Sequence, residues 1–248
     1  MVFERLNRNL PLYSDADQLR LRGATIGVAG AGVGGGVAQQ LGLMGLGCLR
    51  LVDGDCVSAS NCNRHPVFTM RDCGLDKVAV LAEWLSGLGD VVVDTLPGPV
   101  DSRATAEEFV AGCDVVVEEV DSFPAKLLLR EAARALGVPV VTGTDLGHCV
   151  LIDTERFDVD RRRSVFYGHV TADMDAATAI KRLFGPYCSD EFEAAIRSRR
   201  DAYPQLGTTL AVTAALVART VSRIVLGQSA PSGRRLVDVD ALLVGDGS

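Results

Sequence analysis

The sequence predicts an α/β protein built on a doubly wound, mainly parallel sheet with helices on both faces. Short apolar runs alternate with longer segments of helical periodicity, which is the pattern of strand–helix–strand units. A glycine-rich turn, Gly30-x-Gly32-x-x-Gly35, joins the first apolar run to the first long helical segment. The chain has 248 residues, of which 48% are hydrophobic, and this is enough for one domain (residues 1–248) with a buried core.

The elements are predicted from local signals taken in chain order. Residues 1–22 are expected to form a helical arm in which Ser14 is the N-cap of a helix. The helix that follows the glycine turn is rich in small residues, so we expect it to press closely on the sheet. Gly137 is expected to end the helix before it, because glycine favours the left-handed C-terminal position. Strands are predicted over 24–29, 49–53, 91–93, 114–117, 138–142, 150–152 and 236–244, and helices over 33–45, 75–85, 106–111, 125–136 and 208–226.

Three features near the C-terminus complete the prediction. The strand at 150–152 is expected to run in another direction and, with the closing strand at 236–244, to form an antiparallel extension of the sheet. The helix over 208–226 is apolar around much of its circumference, so it should be buried at a subunit interface or against the sheet. Residues 154–203 lose the periodic pattern apart from a modest helix at 191–200, and we expect an irregular crossover segment over the active site.

Composition excludes several classes of function. The net charge is −7, which argues against a nucleic-acid partner bound mainly through its phosphates. The seven cysteines include no C-x-x-C pair, so no zinc is expected. The N-terminus lacks the apolar core of a signal peptide, and glycine, threonine or charges interrupt the longest apolar runs. These observations predict a cytoplasmic protein without a membrane partner.

The glycine turn predicts nucleotide binding. Its glycines let backbone N–H groups approach a phosphate at the start of a helix. Asp53 ends the second strand, at a distance along the chain that suits hydrogen bonds to ribose hydroxyls. The alternative is a tight strand–helix crossing without a ligand. The turn does not determine which nucleotide binds.

Polar residues after Asp53 suggest a triphosphate. Arg64 and Lys77 could neutralise phosphate charge, and Asn61 could add a neutral contact. The alternative is a capped loop with a surface arginine and lysine. Asp121 follows the fourth strand, at the sheet edge where ligands bind, and could hold Mg²⁺. Its alternative role is the N-cap of the helix that begins near Pro124.

The chain resembles the ubiquitin-activating-enzyme-like superfamily, in particular adenylyltransferases of the ThiF/MoeB type. The resemblance rests on the segments LNRNL, GAGVGG, LVDGDCVSASNCNR, GLDK, EEVDSF and YPQLGTTLAVTAALVA. It implies a Rossmann-like fold and an ATP-dependent enzyme that converts a carboxylate into an acyl-adenylate and releases pyrophosphate.

The resemblance also implies roles for single residues. Asp53 would bind ribose, and Asp121 would hold Mg²⁺. The triphosphate would be bound and polarised by Asn61, Arg64 and Lys77, with Asp55 in the same nucleotide-binding set. An N-terminal arginine, with Arg8 the best match and Arg5 second, would reach the ATP of a neighbouring subunit, so a homodimer is implied.

The sequence departs from the family in three places. His65 stands where the family commonly has glutamine, and the two C-x-x-C pairs of the zinc-bearing members are absent. Cys188 lies in the irregular segment and is the candidate for a reactive thiol, although a packed loop cysteine is the alternative. The lone histidines His148 and His169 are expected to be structural.

Two other functions stay open at this level. An NAD-dependent oxidoreductase would explain the glycine turn and Asp53, but it would leave Asn61, Arg64 and Lys77 unexplained. A nucleotide-binding pseudoenzyme, or the scaffold half of a heterodimer, would not need to keep these residues. The substrate also stays open and could be a carrier protein, a peptide C-terminus or a small acid. A specialised biosynthetic pathway is a plausible setting.

Overall fold

One mixed sheet organises the fold. The computed structural model describes residues 4–171, 173–198 and 204–244. In this part of the chain the strand order is β3-β2-β1-β4-β5-β6-β7; β1 to β5 are parallel, and β6 and β7 each pair antiparallel with the preceding strand. This confirms the predicted parallel sheet with a C-terminal antiparallel extension. The strands are β1 Thr25–Ala29, β2 Cys48–Val52, β3 Val92–Leu96, β4 Val115–Glu118, β5 Val140–Leu146, β6 Cys149–Glu155 and β7 Gly233–Asp238.

The helices cover both faces of the sheet. Ser14 caps the first of them as predicted, since its side chain accepts from the Asp17 amide. Gly137 ends another in the left-handed conformation at φ 73°. The helices are α1 Asp15–Gly23, α2 Val33–Met44, α3 Lys77–Ser86, α4 Arg103–Val110, α5 Phe123–Leu136, α6 Ala176–Phe184, α7 Asp190–Ser198 and α8 Gly207–Val225.

Two sequence predictions differ from the structure. The segment after β6 is not merely irregular, because it contains α6 in addition to α7. Asp175 is the N-cap of α6 and accepts from the Thr178 amide. The helix that it starts is too short to show a clear apolar periodicity in the sequence. The last strand ends at Asp238 instead of residue 244, because the Asp238 side chain accepts from the Ala241 amide and turns the chain.

Helix α8 is buried against the sheet. This is one of the two predicted placements, the other being a subunit interface. It packs on β5, β6 and α2. Within the described ranges it is the one helix long and apolar enough to cross a membrane by length and composition. Its buried hydroxyls bond inside the fold, since Thr213 donates to Asp145 and Ser222 lies 3.3 Å from the Tyr13 hydroxyl. Core packing therefore accounts for its apolar composition.

A buried ion cluster ties α5 to the sheet. Arg130 is 2% exposed and donates to Glu155 on β6, to Glu118 on β4 at 3.2 Å and to the Thr142 hydroxyl at 2.7 Å. Its guanidinium also stacks on Phe166, 4.2 Å from the ring centroid. Burial acts to lower the pKa of Arg130, but the surrounding carboxylates together raise it, while burial raises the pKa of Glu155 despite this partner.

We predict that Arg130→Met lowers the free energy of unfolding by about 3–5 kcal/mol, because it leaves a buried carboxylate without its cation. Urea denaturation of the purified chain measures this. Arg103→Met is the matched control, since Arg103 is an exposed arginine that pairs with Glu107 one helical turn away, and it should not shift the midpoint. Equal midpoints for the two variants would contradict the prediction.

Candidate active site

A cavity of about 590 Å³ opens at the carboxyl ends of β1, β2 and β4. The strand order reverses between β1 and β4, and this is the point where doubly wound sheets bind ligands. The lining contains both apolar and polar or charged residues. The apolar ones include Val52, Pro99, Val100, Val120 and Leu128, and the polar or charged ones include Asp53, Asp55, Asn61, Arg64, His65, Lys77, Glu119, Asp121 and Gln205.

The glycine turn forms one wall of the cavity. Gly30 has φ 91°, and a Cβ there would lie 2.4 Å from the carbonyl oxygen of Glu119, so only glycine fits. Gly32 lines the cavity as the N-cap of α2. Gly35 is not among the lining residues; a Cβ on Gly35 would lie 3.8 Å from the Leu81 side chain on α3. That distance is an ordinary van der Waals contact, so packing against α3 does not require glycine at position 35.

Asp53 links the second strand to the glycine turn. Its carboxylate accepts from the Ala31 amide at 2.6 Å and from the Asp55 amide at 2.7 Å. A carboxylate oxygen can accept more than one hydrogen bond. Asp53 therefore fixes the loop and still has capacity for a ribose hydroxyl.

Lys77 begins α3 and is buried. Its Nζ lies 2.8 Å from Asp55 Oδ2, and Asp55 is largely exposed. Asn61 is also buried, and its Oδ1 accepts from the Ser58 amide at 2.9 Å. The predicted lysine and asparagine thus lie in one cavity, each held by a partner from the same loop.

Arg64 lies partly buried beside these residues. Its guanidinium donates to the Ser60 carbonyl and, at 2.9 Å, to Asn63 Oδ1, while Nε is buried with no partner in the described structure. Burial lowers the pKa of Arg64, and the nearby Asp121 and Asp145 act against this change. The ordinary pKa of arginine is so high that the group stays charged.

Asp121 is exposed at the cavity wall, and the alternative role considered for it is wrong. Ser122, not Asp121, is the N-cap of α5, since its hydroxyl accepts from the Ala125 amide at 3.5 Å. Asp121 makes no hydrogen bond or ion pair with any residue that the structure describes. Its oxygens are therefore available to a ligand of the cavity.

Two buried acidic groups, Glu119 and Asp145, are not among the site residues assigned from the sequence. Glu119 is buried in the cavity wall and accepts from the Gly143 amide at 2.7 Å; burial raises its pKa well above the usual range. Asp145 accepts from the Thr213 hydroxyl and from Gln205 Nε2 at 3.5 Å, and burial raises its pKa too. The position of Asp145 at the carboxyl end of β5 is the signal that could have identified it.

Other predicted residues lie outside this cavity. Arg8 is exposed, whereas Arg5 is held by Asp90 at 2.6 Å and by the Gly42 carbonyl at 3.1 Å. Cys188 packs in a small apolar cluster with Phe192, and burial raises the pKa of its thiol, as expected of a packed cysteine. No described residue between 154 and 198 lines the cavity, although Gln205 does.

The family follows from a comparison of the whole chain. The sequence profile of the ThiF family matches residues 5–244. The chain belongs to the ThiF family. It is 30% identical to the sulfur carrier protein adenylyltransferase of Thermus thermophilus over 243 residues, which cover 94% of this chain and 80% of that protein.

Other relatives are longer than this chain. An uncharacterized protein of Mycobacterium tuberculosis is 37% identical over 96% of the chain, which spans 35% of that protein. The SAMP-activating enzyme E1 of Haloferax volcanii is 39% identical over 51% of the chain and 47% of its own length.

Among solved structures, the fold is similar to that of Escherichia coli MccB with ATP. The TM-score is 0.68 at 17% identity, over 96% of this chain and 72% of that one. The ThiF family match confirms the predicted superfamily, and the similarity to this structure confirms the predicted Rossmann-like fold.

Proposed function

We propose that this ThiF-family chain is an ATP-dependent adenylyltransferase that activates a carboxylate. The observation that carries the proposal is the meeting of Arg64, Lys77 and Asp121 around one cavity beside the glycine turn. The family and its named adenylyltransferase relatives support the same activity. The family and its relatives also favour adenylation over NAD-dependent hydride transfer, because hydride transfer does not use the cationic residues Arg64 and Lys77.

The cavity has a place for each part of ATP. The apolar lining residues Val52, Val100 and Leu128 suit the adenine ring, and Asp53 suits the ribose hydroxyls. The triphosphate would then lie near Asn61, Lys77 and the start of α2. Lys77 would then interact both with the Asp55 carboxylate and with the phosphates.

The reaction follows from this placement. A carboxylate oxygen of the substrate attacks the α-phosphorus, the bond to the bridging oxygen of the β-phosphate breaks, and pyrophosphate leaves with that electron pair. Negative charge grows on the phosphate oxygens as the reaction proceeds. Arg64 and Lys77 are held in place before the reaction, so they stabilise this charge with little reorganisation.

Asp121 is the residue that would hold Mg²⁺. Among the described residues, no group of three histidine, cysteine or acidic side chains could hold a metal ion. One free carboxylate still fits Mg²⁺, because this ion keeps several waters and takes its other ligands from substrate phosphates. The ion would supply further positive charge at the phosphates.

The proposed substrate is the C-terminal carboxylate of a carrier protein or peptide, with a small acid as the other possibility. The names of relatives support the first class, since one acts on a sulfur carrier protein and MccB was solved with N-formylated MccA. MccB is a microcin C7 biosynthetic enzyme, which supports a role in a specialised biosynthetic pathway. A cytoplasmic location is part of the same proposal.

ATP–pyrophosphate exchange with the purified chain tests the proposal. The assay is screened over carrier proteins, peptides and small acids, and Mg-ATP binding is measured in parallel. Exchange that depends on one carboxylate establishes adenylation and names the substrate class. ATP binding without exchange for any carboxylate contradicts the proposal and favours a pseudoenzyme or a half of a heterodimer.

We also propose that the chain works as a homodimer in which Arg8 enters the partner's site. Arg8 is exposed, and its side chain makes no hydrogen bond or ion pair within the described residues, whereas Arg5 is engaged by Asp90. Arg8 is therefore the cation at the N-terminus that is available to a second subunit.

Mixing two inactive variants tests this arrangement. Arg8→Ala and Lys77→Met each lose exchange, but a mixed dimer contains one site with both native residues. Unfolding and refolding an equal mixture should restore about a quarter of the wild-type activity, because half of the dimers are mixed and each has one intact site. If the mixture contains mixed dimers but shows no activity, then Arg8 does not act in the site of the partner subunit.

A further inference from the structure

His65 is a buried histidine in the wall of the proposed ATP site, and the proposed reaction does not use it. It is 5% exposed and lines the cavity. Its ring lies against the glycine turn, since a Cβ on Gly32 would be 3.6 Å from Cε1 and 3.8 Å from Nε2. The Phe68 ring holds it in an edge-on contact with 5.8 Å between centroids.

The imidazole has an unsatisfied nitrogen. Nδ1 is buried and has no hydrogen-bond partner in the described part of the chain. Buried polar atoms in folded proteins are almost always paired, and an unpaired one marks a place where a partner is missing. No described acceptor pairs with Nδ1, so the neutral ring can carry its proton on Nε2, which lies beside the glycine turn and can donate to a ligand of the cavity.

The surrounding charges indicate the chemistry of the missing partner. Burial, together with the positive charges of Arg64 and Lys77, lowers the pKa of His65 to about 3. The ring is therefore neutral at physiological pH, with one N–H donor and one acceptor nitrogen. Two cations beside the ring disfavour a cationic partner and favour an anionic one.

We propose that His65 binds the triphosphate of ATP, with its neutral imidazole donating a hydrogen bond to a phosphate oxygen beside the glycine turn. The proposal rests on the proposed function, because it takes ATP as the ligand of the cavity. The carboxylate substrate is the other anion that enters, and binding experiments with nucleotide alone separate the two.

Calorimetric titration with Mg-ATP and with adenosine tests the contact in four proteins: wild type, His65→Leu, His65→Gln and His148→Leu. His65→Leu should weaken ATP binding on the order of tenfold or more, since a hydrogen bond to a charged group is lost. Adenosine binding should not change, because adenosine has no phosphate. His65→Gln keeps a neutral N–H donor and should bind ATP within about threefold of wild type.

His148→Leu controls for the loss of a histidine elsewhere. His148 is exposed and pairs with Asp240 outside the cavity, so its loss should change neither affinity. An equal loss of ATP and adenosine affinity in His65→Leu would overturn the proposal, because this would show a structural role. Unchanged ATP affinity in His65→Leu would overturn it too.

A second measurement is made on the wild-type protein and does not compare affinities between variants. Histidine ring resonances are followed by NMR against pH, with His65→Gln used for assignment. A phosphate close to the ring stabilises the imidazolium, so ATP should raise the pKa of His65 from about 3, while adenosine should not. An identical titration with and without ATP contradicts the proposal.

These experiments separate this proposal from the proposed adenylation. If wild type binds ATP through His65 but shows no exchange with any carboxylate, adenylation fails and the His65 contact stands. If exchange occurs but His65→Leu binds ATP like wild type, only the His65 contact fails. If wild type does not bind ATP, both fail.

Discussion

Arg64→Ala is expected to reduce ATP–pyrophosphate exchange by about 10²–10³-fold, equivalent to about 2.7–4 kcal/mol of transition-state stabilisation. The guanidinium lies in the cavity wall, and its buried Nε has no partner in the described structure. The group is oriented by the Ser60 carbonyl and Asn63, so it need not reorganise as charge develops on the phosphate. The loss should therefore fall mainly on kcat.

Two further variants make the Arg64 experiment specific. Arg71→Ala removes an exposed arginine from the same loop and should leave exchange near the wild-type rate. Arg64→Lys keeps the charge but loses the planar set of donors, so it should recover only part of the activity. Full activity in Arg64→Ala, with the fold retained by circular dichroism, would remove Arg64 from the mechanism.

Asp121→Asn is expected to lower exchange by about 10²-fold at a fixed Mg²⁺ concentration and to raise the Mg²⁺ concentration needed for half-maximal rate. Asparagine keeps the size of the side chain but removes the negative charge that Mg²⁺ prefers. Asp121 makes no hydrogen bond or ion pair with a described residue, although its charge acts on the nearby Arg64. The measurement is exchange rate against Mg²⁺ concentration, and high Mg²⁺ should recover part of the lost rate.

The matched control for Asp121 is Asp101→Asn. Asp101 is an exposed aspartate that lines the same cavity but is not assigned to the metal. Its substitution should leave the Mg²⁺ dependence unchanged. The metal assignment fails if the two variants show the same Mg²⁺ dependence.

The two halves of the proposed site differ in how they are built. The glycine turn, Asp53 and Asn61 are fixed by backbone contacts, so they form a rigid frame. Lys77 is held by the Asp55 side chain, and Arg64 is held by the Ser60 carbonyl and the Asn63 side chain. All of these partners come from the loop between β2 and α3.

The sequence alone predicted the order of the strands and of most helices, and it indicated where to look for the site. Apolar periodicity, the Ser14 and Gly137 caps and the glycine turn are local signals, and each acts within one or two helical turns. Because β1 to β5 are parallel, the residues that follow their carboxyl ends meet at one edge of the sheet. The motif residues Asp53, Arg64 and Asp121 could therefore be assigned to one site.

The tertiary structure decided which other residues lie at that site and how their pKa values are shifted. Asp145 and Gln205 meet near Arg64, and His65 is buried against Gly32, only because β5, α8 and the loop before α3 come together. Their burial sets the raised pKa of Asp145 and the lowered pKa of His65. Such effects depend on solvent exclusion and on neighbours far apart in the chain, and local sequence patterns contain neither.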